Sequence, residues 1–112
     1  MKFDSLKFEA LDEKVYGKSY KTKDGWVHNP CQAHTTLPNG IEVSIVKHGA
    51  SYGHEEGLYE MGAFHKGGKD MMNIEAWSDE VKGWLNPEDV EKELFYLESI
   101  PKHCLPLKLD RN

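Results

Sequence analysis

The dipeptide Asn39-Gly40, which lies between two β-prone runs, is the feature that most constrains the fold. Asn and Gly both tolerate the positive φ angles that a tight turn between antiparallel strands requires. The run that follows, residues 41–45, alternates apolar and polar side chains. Ile41, Val43 and Ile45 are therefore predicted to face a core while the residues between them face water. The sequence predicts an antiparallel hairpin, and with it an antiparallel sheet.

Two further runs are predicted to add strands to this sheet. Residues 58–64 (LYEMGAF) are apolar on both faces, which favours a central strand, and Gly62 within them indicates a bulge or the close approach of another element. Residues 72–77 (MNIEAW) alternate between apolar and polar side chains and are predicted to form a strand. Residues 78–85 are predicted to form a short connection that includes at most one turn of helix.

The strongest helix signal lies at residues 86–89, Asn-Pro-Glu-Asp. The asparagine can cap the helix, the proline fits its first position, and the two acidic residues complement the helix dipole. Val90, Leu94 and Leu97 follow at helical spacing, so one face is predicted to pack on the sheet, and Pro101 ends the helix. The predicted fold class is α+β, with an antiparallel sheet of three to five strands and one C-terminal helix packed on one face.

The length of the chain favours one domain that spans residues 1–112, because smaller pieces could not form independent cores. For residues 1–25, an N-terminal arm and a short helix are both open, and the polar segment 17–25 is predicted to be an exposed loop. Residues 102–112 are predicted to form a tail. Four of its residues could add an edge strand: Cys104, Leu105, Leu107 and Leu109.

The charge balance excludes some classes of function. The chain has 19 acidic and 14 basic residues and a net charge of −5, so nonspecific binding to nucleic acid is not expected. No run is as long as a membrane span and no secretion signal opens the chain, so we expect a cytoplasmic protein with no membrane association. Cys31 and Cys104 are expected to be reduced in that compartment.

His28, Cys31 and His34 form the first candidate site, because thiolate and imidazole groups are good zinc ligands and two-residue gaps allow them to converge on one ion. A structural zinc site normally has four ligands, and His103 or Cys104 could contribute if the tail folds back. The alternative interpretation is a loop that carries two surface histidines and a half-buried cysteine. No other cofactor is predicted.

The glycine-rich segment Gly49–Gly57 is the second candidate site. It lacks the Gly-Lys-Ser/Thr ending of a Walker loop, and a strand follows it where the dinucleotide-binding fingerprint needs a helix. His54 beside Glu55 and Glu56 could form an acid/base pair or a hard-metal site. The alternative interpretation is a structural loop whose glycines have positive φ and whose tyrosine packs over the sheet edge. No catalytic residue is predicted, since Ser51 lacks the nucleophile-elbow motif.

Several segments of the chain resemble a family of small uncharacterised proteins that bacteriophages and prophages encode. Residues 40–46 (GIEVSIV), 51–53 (SYG) and 57–60 (GLYE) resemble the core of that family, and residues 78–90 are similar to its closing segment. The match covers roughly residues 40–100 and leaves the His/Cys cluster outside. The resemblance implies a viral setting and a sheet-plus-helix fold, but no catalytic residues.

By analogy with that family, the resemblance implies a non-enzymatic phage or prophage accessory protein that binds a host or phage protein in the host cytoplasm. Tyr and Trp are the residues that most often anchor interfaces. The candidate interface consists of Ser51, Tyr52, Gly53, His54, Tyr59 and Trp84. Two alternatives remain open, a small zinc-binding domain that uses the His/Cys cluster and a homo-oligomeric structural protein that pairs through an exposed edge strand.

Overall fold

A computed structural model describes residues 1–67 and 69–105 of the chain. Its main element is a five-stranded antiparallel sheet in the order β1-β4-β5-β6-β7, and a second sheet contains β2 and β3. The strands are β1 (Phe8–Ala10), β2 (Tyr20–Lys21), β3 (Val27–His28), β4 (Cys31–Thr36), β5 (Glu42–Lys47), β6 (Tyr59–Phe64) and β7 (Lys82–Leu85). The α-helices are α1 (Glu13–Tyr16) and α2 (Pro87–Glu98), and short 3-10 turns lie at Phe3–Ser5, His54–Glu56 and Lys102–Cys104. The predicted α+β class is confirmed.

The hairpin that joins β4 to β5 forms where the sequence predicts it. Gly40 has a φ of 93°, and the Leu37 N–H donates to the Ile41 carbonyl at 2.8 Å. Asn39 also ties the turn to the end of α2, because its Nδ2 donates to the carbonyls of Leu97 at 2.8 Å and Ile100 at 3.0 Å. The turn residue therefore fixes both the hairpin and the position of the helix.

Helix α2 begins with the predicted cap and packs on one face of the sheet. Asn86 Oδ1 accepts from the Asp89 N–H at 2.8 Å, while Asp89 Oδ2 accepts from the Asn86 N–H at 3.2 Å. This reciprocal pair satisfies two backbone donors at the helix start. The predicted face of Val90, Leu94 and Leu97 is fully buried in the core, together with Ile41, Val43, Ile45, Met61 and Ala63 from the sheet.

Two predictions between β6 and α2 are wrong. Residues 72–77 do not form a strand. Met72, Ile74 and Trp77 are buried but Ala76 is exposed, so the alternation ends at residue 75. The backbone is irregular, and Trp77 Nε1 donates to Glu93 Oε1 of α2 at 2.8 Å. The strand in this region is β7, which lies within the segment predicted as a connection and pairs with β6 through an irregular register between Tyr59 and Met61. Alternating apolar and polar residues indicate which side chains face the core. An irregular backbone can bury alternate side chains in the same way without forming a strand.

The N-terminal region contains more regular structure than the sequence indicates. Strand β1 pairs with β4, and Phe8 lies in an aromatic cluster with Phe3 and Tyr59. The segment 17–25 contains β2, and its Thr22 is buried rather than exposed. At the other end, Leu107 and Leu109 of the predicted edge strand lie outside the described residues.

The edges of the five-stranded sheet are short. Strand β1 has three residues and β7 has four. Short edge strands limit edge-to-edge pairing between protein chains. Oligomerisation through these edges stays a prediction, which light scattering tests. No helix in the described part of the chain is long and apolar enough to cross a membrane.

Candidate functional site: a stacked aromatic pair

The loop between β5 and β6 is held in shape by its own hydrogen bonds. Ser51 is buried, and its Oγ accepts from the His48 N–H at 3.0 Å and donates to the His48 carbonyl at 2.9 Å. His54 Nδ1 donates to the Ser51 carbonyl at 2.6 Å. Gly53 and Gly57 flank the 3-10 turn with φ angles of 94° and 73°. The loop is thus a defined structure in which Ser51 serves the loop itself.

Two glycines allow this loop to lie directly against β7. A Cβ atom at Gly83 would overlap with Tyr52 Cβ, and one at Gly53 would lie 2.9 Å from Trp84 Cα. The Trp84 N–H donates to the Tyr52 carbonyl at 3.3 Å, and the Tyr52 N–H donates to Glu60 Oε1 at 3.0 Å. Close backbone packing therefore fixes Tyr52 beside Trp84.

The rings of Tyr52 and Trp84 stack in parallel on the surface of the protein. Their centroids are 5.4 Å apart and their planes differ by 4°. The two residues remain 44% and 57% exposed, so the stack contributes little to the core. Trp84 has a φ of 55°, and it is the only non-glycine residue with positive φ in the described ranges. A bulky residue in this conformation stores about 1–3 kcal/mol of strain, which is typical of functional sites.

The strain at Trp84 can be measured with two substitutions that both remove the ring. We expect Trp84→Gly to be more stable than Trp84→Ala by about 1 kcal/mol, because glycine adopts positive φ without a Cβ clash. Urea denaturation of the two variants gives the difference directly. If alanine is equally stable or more stable, the backbone at residue 84 is not strained in solution.

Two clefts flank the stack. The loop cleft has a volume of about 320 Å³ and is lined by both aromatic rings and by residues 50–51 and 53–56. The helix cleft, of about 290 Å³, also borders Trp84 and is lined by residues of β7 and α2. Each volume is at the lower end of the range for ligand pockets, which suits a single inserted side chain. The aromatic pair is thus a ridge bordered by two small recesses.

A third cleft, of about 460 Å³, lies at the opposite end of the sheet. The β4–β5 turn and Met72 form its walls, and its basic lining residues are His65, Lys66 and Lys102. Leu105, the last described residue, also lines it.

Of the predicted interface residues, the structure brings four to the ridge and excludes two from its surface. Tyr52, Gly53, His54 and Trp84 line the ridge or the loop cleft. Ser51 also borders that cleft, but it is only 1% exposed, so its side chain is not available at the surface of the ridge. Tyr59 lies on the other face of the sheet, 5.4 Å and 5.3 Å from the rings of Phe3 and Phe8, and does not flank the ridge.

The predicted zinc ligands His28, Cys31 and His34 are not brought together. Cys31 and His34 are three residues apart on β4, so their side chains point to opposite faces of the sheet. His34 is exposed, with Nε2 3.9 Å from Glu42 Oε1, whereas His28 stacks on Tyr20. Within residues 1–67 and 69–105, no group of three or more His, Cys, Asp or Glu residues is placed to hold a metal ion.

Tyr20 is the centre of a buried contact that the sequence does not signal. Its ring packs between those of His28 and His54, with centroid distances of 5.6 Å and 5.9 Å. Burial raises the pKa of Tyr20 to about 12, and the neighbouring Cys31 and Tyr59 add to the effect. Burial also raises the pKa of the Cys31 thiol, although Lys47 opposes this, so the thiol is protonated at neutral pH. This cluster joins the β2–β3 hairpin to the loop.

We expect the free energy of unfolding to decrease as the pH falls below about 6.5, the ordinary histidine pKa. Burial lowers the pKa of His28, Lys47 lowers it further, and Asp24 acts to raise it. Burial also lowers the pKa of His48, where Glu60 acts to raise the pKa and His54 acts to lower it. The unfolded chain therefore binds more protons in this range. Urea denaturation at pH 7.5 and 5.5 measures the effect.

The double variant His28→Gln, His48→Gln is the control for this pH dependence. It should show a smaller loss of stability between pH 7.5 and 5.5 than the unmodified protein, because the two shifted groups are gone. An unmodified protein that becomes more stable as the pH falls over this range would contradict the assignment of lowered pKa values.

No protein-family model matches the chain, and neither a curated protein nor a solved structure is significantly similar to it. The function has to be inferred from the side chains described above. Among them, the exposed stack of Tyr52 and Trp84 combines surface exposure, fixed geometry and backbone strain.

Proposed function

We propose that this chain is a non-enzymatic binding protein that contacts a protein partner through the stack of Tyr52 and Trp84. The observation that carries the proposal is a parallel pair of large aromatic rings that is held rigidly and left about half exposed. Trp and Tyr are the residues most enriched among interface hot spots. A preformed geometry favours binding because less conformational entropy is lost when the partner docks.

Features of the loop and of the charge balance favour binding to a protein over catalysis or binding to nucleic acid. Ser51, the hydroxyl nearest to His48 and His54 in the loop, is buried and bonded to backbone on both its donor and acceptor sides. The net charge of −5 opposes attraction to phosphate groups. The two clefts that border Trp84 offer recesses into which side chains of a partner can insert, and hot-spot residues are enriched in such packed pockets.

The proposed setting follows from the resemblance to phage and prophage proteins. A small accessory protein of that kind would act in the host cytoplasm on a host or phage protein. The resemblance covers Tyr52 and Trp84, whereas residues 1–39 fall outside it. The proposed binding surface therefore lies within the part of the chain that resembles the phage and prophage family.

The proposal is tested by affinity capture from host lysate with three immobilised proteins: the unmodified chain, Tyr52→Ala and Trp26→Ala. Trp26 is 70% exposed on the β2–β3 hairpin and is the matched control for a surface aromatic outside the stack. We expect Tyr52→Ala to lose a captured protein that Trp26→Ala retains, with both variants as stable as the unmodified chain. Equal retention by all three, or equal loss by both variants, would contradict the proposal.

A further inference from the structure

We propose that the partner presents an arginine side chain, within a basic segment, that enters the loop cleft and stacks on the aromatic pair. This inference rests on the proposed function and names the chemistry of the partner. The loop cleft is lined by Tyr52 and Trp84 together with the carboxylate residues Glu55 and Glu56. An aromatic wall beside carboxylates matches a guanidinium group, which offers a flat cationic face and several N–H donors.

The charges that line the two clefts differ. Glu55 and Glu56 contribute two negative charges to the loop cleft, whose other titratable lining residues, within the described part of the chain, are His54 and Tyr52. The helix cleft is balanced, because its lining includes Lys82, Lys92, Asp89 and Glu93. A cation is therefore attracted to the loop side of the ridge. Electrostatic complementarity of this kind selects the partner and its orientation more than it sets the affinity.

The chain's own Lys23 shows that the acidic rim attracts a cation. Lys23 lies in the turn between β2 and β3, and its Nζ is 2.9 Å from Glu56 Oε1. The side chain of Lys23 is 65% exposed and that of Glu56 is 42% exposed, so this ion pair is weak and easily exchanged. Lys23 is thus an intramolecular competitor for the position that the partner's cation would occupy.

Because Lys23 competes for this position, the effect of charge substitutions on affinity distinguishes an arginine-bearing partner from one that contacts the aromatic rings alone. A proline-rich or purely apolar segment could also stack on Trp84, but its affinity would not depend on the charges at Lys23 and Glu55. For an arginine-bearing segment, Lys23→Gln should raise the affinity about two- to fivefold, because a like charge leaves the rim. Glu55→Gln should lower it by a similar factor. The neutral amides keep the size of each side chain, and the Lys23 N–H bond to the Glu55 carbonyl is retained.

The experiment uses a library of random bead-displayed dodecapeptides, which is selected for binding to the unmodified protein and depleted of peptides that bind Trp84→Gly. Selected peptides are then measured by fluorescence anisotropy against the unmodified protein, Lys23→Gln, Glu55→Gln and Trp84→Gly. We expect arginine to be enriched at one position, its replacement by glutamine to weaken binding about tenfold or more, and Lys23→Gln to strengthen it. Binding should also weaken at high salt.

Trp84-dependent peptides without a basic residue, or binding that is indifferent to both charge substitutions, would overturn this inference and leave the proposed function standing. Recovery of no Trp84-dependent peptide would overturn it as well. In that case the affinity capture with Tyr52→Ala and Trp26→Ala decides the proposed function by itself, because that comparison does not depend on the chemistry of the partner.

Discussion

Replacing Gly83 by alanine is expected to lower the free energy of unfolding by about 2–3 kcal/mol and to separate the stacked rings. The added Cβ would overlap with Tyr52 Cβ and lie 3.2 Å from the Tyr52 carbonyl oxygen. Neither atom is the end of a flexible side chain, so the loop and β7 must move apart. Urea denaturation gives the loss of stability, and the near-ultraviolet circular dichroism of the aromatic rings reports their separation.

Gly49→Ala is the matched control for this prediction. It changes a glycine of the same loop, but the nearest atom to its added Cβ is Tyr20 Cβ at 3.7 Å, an ordinary contact. We expect a change within about 0.5 kcal/mol. In a Tyr52→Gly background, Gly83→Ala should lose most of its effect, because the atom that it meets is gone. If Gly83→Ala behaves like Gly49→Ala, the loop does not lie against β7 as described.

The second large effect is expected for Leu94→Ala, which should lower the free energy of unfolding by about 3–4 kcal/mol. Leu94 is fully buried at the centre of the α2 face that covers the sheet, between Val90 and Leu97. Its truncation leaves a cavity that the surrounding β-sheet cannot fill. Phe95→Ala is the control, since Phe95 is the next residue of the helix and is 52% exposed. A loss for Phe95→Ala as large as that for Leu94→Ala would contradict the assigned helix face.

The elements that the sequence predicts well are those with local causes. The β4–β5 turn depends on Gly40 at positive φ, and the start of α2 depends on the reciprocal bonds between Asn86 and Asp89. Each signal depends on residues that are close together in the sequence, so it does not depend on how distant parts of the chain pack. The alternation in β5 likewise reports one buried face, which the structure confirms.

The errors concern features that tertiary packing decides. Strand β7 contains Gly83 and the positive-φ Trp84, and this sequence has no strand pattern, because the pairing depends on contact with the loop at Tyr52. The sequence predicts Tyr59 in the interface because tyrosine often anchors interfaces. The register of β6 instead directs it toward Phe3 and Phe8. Neither the register nor the close approach at Gly83 can be read from local sequence.

The predicted zinc ligands His28, Cys31 and His34 lie apart in the described structure for a related reason. The spacing of His28, Cys31 and His34 suits a metal only if the segment is a loop that curves around the ion. Cys31 and His34 instead belong to β4, where residues three apart face opposite sides of the sheet. Cys31 and His34 lie in a strand because β4 pairs with β5, a contact that the local spacing of ligands does not reveal.

The most direct test of the central claim is the dissociation constant of a captured partner for the unmodified protein and for Trp84→Gly. This substitution removes the larger ring of the stack and relieves the strained backbone, so the fold should be retained. We expect affinity to fall at least about tenfold while the free energy of unfolding stays within about 1 kcal/mol of that of the unmodified protein. Unchanged affinity in a folded Trp84→Gly variant would contradict the claim that the stack of Tyr52 and Trp84 is the binding surface.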